Sequence, residues 1–291
     1  MKPVFSVVIP TYNHAHFLER ALQSVVNQTF TDWEIIIIDN HSEDNTDLIV
    51  EKFKDPRVRF FKINNNGIIA ASRNKGINEA NGEWIAFLDS DDYWDLRKLQ
   101  SCLEVITEEV DFIYHDLKVV GQKENLFSWN SDKTRQTKGK PLIDMLLNGN
   151  LIGNSSVVVR RILIEKAGLL EEDPQMIGAE DFNAWLKIAE LTDKFFYVPK
   201  FLGFYEYHVA GVSRKDMSEC YRIATYYFIQ RLNQVQRNQL NAHIAYMKGR
   251  FLFLNGEFSK SREYFKQSIQ HGKPEIKLKA LYSIISSVAR N

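Results

Sequence analysis

Two groups of carboxylates could do chemistry. The first is Asp89-Ser90-Asp91-Asp92, at the end of the apolar run Trp84-Ile-Ala-Phe-Leu88 and just before Tyr93 and Trp94. Carboxylates gathered at the end of a buried segment are costly unless a cation or hydrogen-bond donors satisfy them. Their oxygens are hard ligands, suited to Mg²⁺ or Mn²⁺. One reading is a metal–nucleotide site. The other is a capped turn before a helix, since Asp is a common N-cap, and the tetrad alone does not decide between them. The second group is Glu180-Asp181. One carboxylate there could serve as a general base, or the pair could be only negative charge at a helix N-terminus. Two adjacent helical residues point in different directions, so both cannot be the base.

A framework must position these groups. Val4–Ile9, Trp33–Ile38, Val58–Ile63 and Trp84–Leu88 read as strands. Pro10-Thr11-Tyr12-Asn13 is expected to end the first, because proline cannot donate to a ladder. Apolar residues at 17, 18, 21, 22, 25 and 26 give helix spacing, and shorter helices are predicted over 48–53 and 68–80. This alternation predicts parallel β-α-β units. In such sheets ligands bind outside the carboxyl ends of the strands, where Pro10–Asn13, Asp39–Asp44 and Asp89–Asp92 fall.

Further along, the pattern predicts a helix over 95–107, a strand over 111–115 and a polar loop over 121–140. A short helix over 141–147, a strand over 155–159 and a helical turn over 161–167 follow. Glu180-Asp181 opens another helix, and two short aromatic strands follow at 195–198 and 201–207. From Asp216 the chain reads as helical, with breaks near Gln236, Gly256 and Pro274. The basic segment Lys273–Lys279 precedes an apolar helix over 281–288.

Bulk properties narrow the classes. The chain has 291 residues, 44% of them apolar, enough for one large domain with a small appendage. Lys+Arg and Asp+Glu both number 37, which argues against a nucleic-acid binder. Cys102 and Cys220 lack partners at zinc-ligand spacing and read as reduced thiols of a cytoplasmic protein. No signal peptide and no apolar run of the ~20 residues needed to span a bilayer is expected.

Five pieces, in order, carry a family resemblance. They are Ser6-Val-Val-Ile-Pro-Thr-Tyr-Asn13; Ile38-Asp39 with Ser42, Asp44 and Thr46; Ser72-Arg-Asn-Lys-Gly76; Leu88-Asp-Ser-Asp-Asp92; and Glu180-Asp181. Together they resemble the inverting family 2 glycosyltransferases over residues 4 to about 215. The resemblance implies an α/β, GT-A nucleotide-diphospho-sugar transferase fold, a Rossmann-like mixed sheet flanked by helices. Residues 1–215 would form that domain and 216–291 a C-terminal helical extension. Within the extension, Gly249, Leu252, Ser261, Phe265 and Ser268, with Asn255–Phe258 as the turn, resemble one tetratricopeptide helix pair.

The resemblance also implies roles. The donor-binding set is Pro10, Thr11, Tyr12, Asn13, Asp39, Arg73, Asp89, Ser90 and Arg214. Thr11 and Tyr12 would lie along base and ribose. Asp39 would accept a hydrogen bond from a base ring N–H, which favours uracil, although thymine and guanine offer a similar donor. Arg73 would hold the base or Asp39. Asp89 would meet the ribose hydroxyls, and Asp91, with His208, would ligate Mn²⁺ or Mg²⁺. Arg214 or Lys215 would close over the phosphates. Asp181 would be the base and Glu180 its support or an acceptor contact. Plainer readings stand beside these: Tyr12 as packing, Tyr93 and Trp94 as core, Asp92 as a helix cap, and His208 as a strand-end histidine. His14, His16, His41 and His115 read as structural or surface residues. Asn40-His41 departs from the family, where Asp-Gly is frequent.

The expected activity is metal-dependent, inverting transfer of a sugar from a nucleotide-diphosphate donor, a UDP-sugar first. The acceptor is a hydroxyl of a cell-surface glycan or lipid-linked saccharide, met at the inner face of the plasma membrane. A nucleotidyltransferase would want a Gly-rich N-terminal loop, which Pro10–Asn13 is not. A catalytically weak or inactive transferase-fold scaffold, docking a protein partner through the helical tail, would be expected to have lost its carboxylates, whereas Asp91 and Asp181 are present.

Overall fold

The computed structural model describes residues 2–121, 134–207 and 215–288. His208, Ser213 and Arg214, and most of the 121–140 segment, lie outside them. One eight-stranded sheet organises the described residues, in the order β3-β2-β1-β4-β7-β6-β8-β5. Its first half is β1 (Phe5–Thr11), β2 (Trp33–Asp39), β3 (Val58–Lys62) and β4 (Trp84–Phe87), all parallel. Between them run α1 (Ala15–Val26), α2 (Thr46–Lys52) and α3 (Ile69–Glu79). The second half is mixed: β5 (Tyr93–Trp94), β6 (Phe112–Val120), β7 (Val158–Arg160) and β8 (Phe195–Glu206). Here β7 is antiparallel to β4 and β6, β6 and β8 are parallel, and β5 is antiparallel to β8. This is the α/β GT-A fold.

The central strands are apolar on both sides because both sheet faces are covered. Phe5, Val7 and Ile9 with Trp33, Ile35 and Ile37 face α1 and the short α4 (Lys98–Leu103). Val8, Ile36, Ile38, Ile85 and Phe87 face the other layer, which includes α5 (Pro141–Asn148), α6 (Arg161–Lys166) and α7 (Glu180–Leu191). Each fully buried aliphatic side chain contributes about 1.5–3 kcal/mol. Gly76 lets α3 lie close on β1: a Cβ there would sit 2.4 Å from a Val8 methyl carbon. That approach brings Arg73 and Asn74, both buried, under the sheet.

Several elements differ from the sequence expectation. Pro10 does not end β1; it pairs with Ile38 inside the ladder. β4 no longer pairs with β1 beyond Val8, so the edge that would demand a proline N–H is open there. The helix expected over 95–107 contracts to α4. The strand expected over 155–159 becomes a 3₁₀ turn, Asn154–Ser156, followed by β7. The two aromatic strands are one, β8, with a register irregularity opposite His115–Leu117.

The tail carries α8 (Met217–Thr225), α9 (Gln234–Leu254), α10 (Phe258–His271) and α11 (Pro274–Val288). The break expected near Gln236 falls at Asn233. The Asn233 side chain accepts from the Gln236 N–H, and Gln236 accepts from the Asn233 N–H; this capping box starts α9. Cys220, Tyr221, Ala224, Phe228, Leu232 and Leu240 join the same core cluster as α7. Gly249, Leu252, Ser261, Phe265 and Ser268 are all buried. A Cβ at Gly249 would press on Phe265 at 2.8 Å, so glycine permits the close crossing of α9 and α10. Cys102 and Cys220 are free and buried.

Candidate active site

The carboxyl ends of β1, β2 and β4 form one edge. At the end of β1, Asn13 takes a left-handed conformation, φ +52°. Its N–H donates to Ser42 Oγ at 2.8 Å and its Oδ1 accepts from the Glu43 N–H at 2.8 Å. The β1 and β2 loops are thereby fastened together. Asp39, wholly buried, accepts from the Ser42 hydroxyl at 2.5 Å and from the Ser42 N–H, with Lys62 Nζ at 3.8 Å. Asp44 accepts from the Thr46 hydroxyl and from the Ala15 and Thr46 N–H groups, supporting the first turns of α1 and α2. Burial works against its charge, but these hydrogen bonds hold it below the usual carboxylate range. Thr11 is buried with its hydroxyl unpartnered, whereas Tyr12 is 52% exposed at the mouth.

The two odd residues after Asp39 now have a physical account. Asn40 Oδ1 accepts from the Asn65 N–H at 2.9 Å, and Asn65 donates to Ser72 on α3. Asn40 thus ties the end of β2 to the helix carrying Arg73. His41 has φ +54°, a left-handed backbone that costs an L-residue about 1–2 kcal/mol. A glycine suits that position, which is why Asp-Gly is the commoner pair.

At the end of β4, hydrogen bonds from distant residues hold the tetrad. Asp89 Oδ1 accepts from Arg73 at 2.7 Å and from Asn154 Nδ2 at 2.9 Å; its N–H donates to Ser155 Oγ. Ser90 Oγ meets His14 Nδ1 at 2.9 Å. Asp92 is buried; it accepts from the Ser155 hydroxyl at 2.5 Å and from the Glu206 N–H at 3.0 Å. Burial first, then the charges of Asp91 and Asp89, push its pKa well above the usual range. Asp92 therefore does not cap a helix: α4 begins only at Lys98, and Asp92 fastens the tetrad to β8. Trp94 is core, its Nε1 donating to the Ser155 carbonyl at 2.8 Å. Tyr93 stacks on Phe204, with the Arg20 guanidinium over its ring.

Arg73 joins the two carboxylate groups. It is 3% exposed and donates to Asp89 on one side and to Glu180 Oε1, at 2.6 Å, on the other. Its hydrogen bonds do not go to Asp39, which corrects one of the two roles expected for it; Lys62 and Ser42 attend Asp39 instead. Burial opposes the guanidinium charge, but Asp89 and then Glu180 outweigh it and raise the pKa above the ordinary arginine value. Glu180 Oε2 also accepts from the Gly178 N–H.

Asp181, the next residue, is only half-buried. Its carboxylate accepts the N–H of Phe182 at 2.6 Å. Its pKa is raised to about 7, by burial first and then by the Glu180 charge, against the pull of Arg73. A carboxyl group at that value can exchange a proton near neutrality, as a general base must.

Asp91 is half-buried at the turn. Arg20 holds its backbone carbonyl at 3.1 Å. The repulsion that raises Asp92 marks this corner as negative, and hard carboxylate oxygens in such a place fit a divalent cation. Among the described residues no group of three or more His, Cys, Asp or Glu side chains is arranged to hold a metal. His208 and Arg214 lie outside the described residues. Sequence reasoning missed His14, Asn154 and Ser155. Their link to the tetrad is purely spatial, across 76, 65 and 63 positions, and no local pattern signals it.

The family model of glycosyl transferase family 2 matches residues 6–165. TuaG, a glycosyltransferase assigned to teichuronic acid biosynthesis in Bacillus subtilis (strain 168), is 30% identical over 190 residues, 64% of this chain and 72% of the relative. WfgD of Escherichia coli, a UDP-Glc:α-D-GlcNAc-diphosphoundecaprenol β-1,3-glucosyltransferase, is 28% identical over 184 residues, 63% of this chain and 68% of the relative. The crystal structure of S. aureus TarS 1–349 in complex with UDP-GlcNAc shares the fold: TM-score 0.68, 21% identity, 99% of this chain and 89% of that one. The chain belongs to glycosyl transferase family 2 and is a glycosyltransferase.

Proposed function

We propose that this chain transfers a sugar, with inversion, from a UDP-sugar to a hydroxyl of a lipid-linked saccharide in cell-envelope glycan synthesis. The observation that carries the reading is Arg73, bonded at once to Asp89 and Glu180, with Asp181 beside it near pKa 7. Donor corner and base are thereby held against one another. The WfgD reaction supports both the UDP-sugar and the undecaprenyl-diphosphate acceptor.

In this mechanism Thr11, Tyr12 and Asn13 line the base and ribose, with Pro10 next to them, still paired in β1. Asp39 accepts from the base ring N–H, and Asp89 and Ser90 meet the ribose. Asp181 takes the proton of the acceptor hydroxyl as its oxygen bonds to the anomeric carbon from the face opposite the diphosphate. The bond from that carbon to the diphosphate oxygen breaks, and the electron pair leaves with UDP. Both oxygens of Glu180 are taken, by Arg73 and by the Gly178 N–H, so Asp181 alone of the pair is placed to accept the proton. Mn²⁺ or Mg²⁺ at Asp91, with His208, would offset charge on the departing diphosphate, and Arg214 would add to it.

Residues 1–215 form the catalytic part in this reading, and 216–291 a tetratricopeptide-like extension. We place the protein in the cytoplasm, at the inner membrane face; among the described residues no helix is long and apolar enough to cross a membrane. The scaffold alternative is not favoured, since the tetrad and the Glu180-Asp181 pair are intact around Arg73. The test is a panel of nucleotide sugars with Mn²⁺ and with Mg²⁺, scored for slow donor hydrolysis and for transfer to a diphosphate-linked GlcNAc acceptor. UDP-hexoses should turn over with metal and stop with chelator. No turnover or binding of any donor would sink the reading.

A further inference from the structure

The helix α11 leaves an apolar stripe uncovered. Leu278, Leu281, Tyr282, Ile285 and Val288 are 68%, 46%, 59%, 69% and 63% exposed. At about 100° per residue these positions fall on one face, opposite Ala280 and Ser287, which are buried against the other tail helices. Lys277 and Lys279 border the stripe on its two edges by the same geometry. Leu254, at the turn between α9 and α10, is 73% exposed. It lies toward the Val288 end, since Arg262 near the start of α10 reaches the Ser287 carbonyl.

Charge points to what covers this face. The whole chain is neutral, but residues 216–291 hold 12 Lys+Arg against 5 Asp+Glu, whereas residues 1–215 hold 25 against 32. A second copy meeting this face tail to tail would set like charge against like charge. A nucleic acid would leave the apolar stripe wet. An apolar face edged by lysine suits the boundary of an anionic bilayer, where the side chains enter the acyl region and the cations meet headgroups.

We propose that α11 docks this chain on anionic lipid bilayers, lying in the plane of the interface. The proposal takes from the functional reading only the expectation that the acceptor is lipid-linked. Docking would then bring that acceptor and the catalytic part to one surface.

The test is flotation of the full chain with vesicles of phosphatidylcholine alone and of phosphatidylcholine with phosphatidylglycerol. The chain should float with the anionic vesicles and much less with the neutral ones. Ile285→Asp and Leu281→Asp should each weaken partitioning about tenfold or more, and Lys277→Glu about fivefold or more. Leu48→Asp, on exposed α2, should change nothing. Donor hydrolysis in the absence of vesicles should be unaltered in every variant, which keeps this test separate from that of the activity and shows that the variants fold. The proposal is overturned if the wild-type chain does not float with anionic vesicles, or if the two Asp variants float like wild type. It is equally overturned if light scattering shows a dimer that Ile285→Asp dissociates while vesicles remain unbound.

Discussion

The two carboxylate corners share one arginine but are built differently. Asp89–Asp92 is held from outside: Asn154, Ser155, His14 and the Glu206 backbone all reach in to it. Asp181 accepts its hydrogen bond from its own neighbour, Phe182. The first corner has its geometry fixed. The second is left half-open, with a carboxyl whose charge burial and Glu180 make costly. A fixed shape suits a group that must recognise a donor, and an adjustable charge suits one that must take a proton. Arg73 keeps the two in register.

Substitutions can break or sharpen this contrast. The largest effect is expected from Asp181→Asn: transfer falls about 10³-fold, while UDP binding by calorimetry changes little. A loss of UDP affinity instead would mean that the base has been assigned to the wrong corner. In the wild type, kcat/KM should fall tenfold per pH unit below about 7 and flatten above it, because Asp181 must be deprotonated to act. The same group has a stability signature of opposite sense. Its folded pKa lies above the unfolded value, so the folded state loses stability as pH rises from about 4 toward 7. Asp181→Asn should therefore stabilise the fold at pH 8 by about 1–2 kcal/mol after discounting for its partial exposure, read as a higher Tm, and leave the Tm nearly unchanged at pH 4.

Arg73→Met comes next. It strands Asp89 and Glu180 together and should cost about 3–5 kcal/mol of stability, read by urea denaturation, with activity lost along with it. Lys98→Met should act in the other direction. Lys98 is wholly buried, without a hydrogen-bond partner, 3.5 Å from the Trp94 ring centre, and burial lowers its pKa to about 8. The folded state resists that charge, so stability rises with pH from about 8 toward the unfolded lysine value. Removing the amine should add about 2–3 kcal/mol below pH 8 and progressively less above it. Ser155→Ala removes a hydroxyl shared by Asp89 and Asp92 and should cost about 1–2 kcal/mol, with a larger effect on KM for the donor than on kcat. The smallest effect is His41→Gly, which should stabilise by about 0.5–1 kcal/mol by relieving the left-handed backbone. A loss of activity in that variant would give His41 a role it lacks here.

The parallel half of the sheet was legible in the sequence because its signals are local. Val7 to Ile9, Ile35 to Ile38 and Ile85 to Phe87 are apolar runs bounded by polar loops. The motif singles out Arg73 but not its partners Asp89 and Glu180, because a motif gives a residue's neighbours in sequence and not the direction of its side chain. The mixed half was read less well. A bulge opposite His115–Leu117 let two short aromatic runs fuse into β8, and β5, two residues long, exists only because β8 offers it an edge. Asn154 and Ser155 sit in a 3₁₀ turn with no distinguishing composition, and only the folded chain brings them to the tetrad.

The span of those contacts bears on synthesis. The Arg73–Glu180 pair joins residues 107 positions apart, and the Asp92–Glu206 bond joins residues 114 apart. A chain leaving the ribosome can close its first β-α-β units well before either partner has emerged. During that interval Arg73 lacks its buried partner Glu180, and Asp181, the proposed base, has not been made. On the proposed mechanism the nascent chain is therefore idle, and it gains the means to spend an activated sugar only once α7 and β8 have been made.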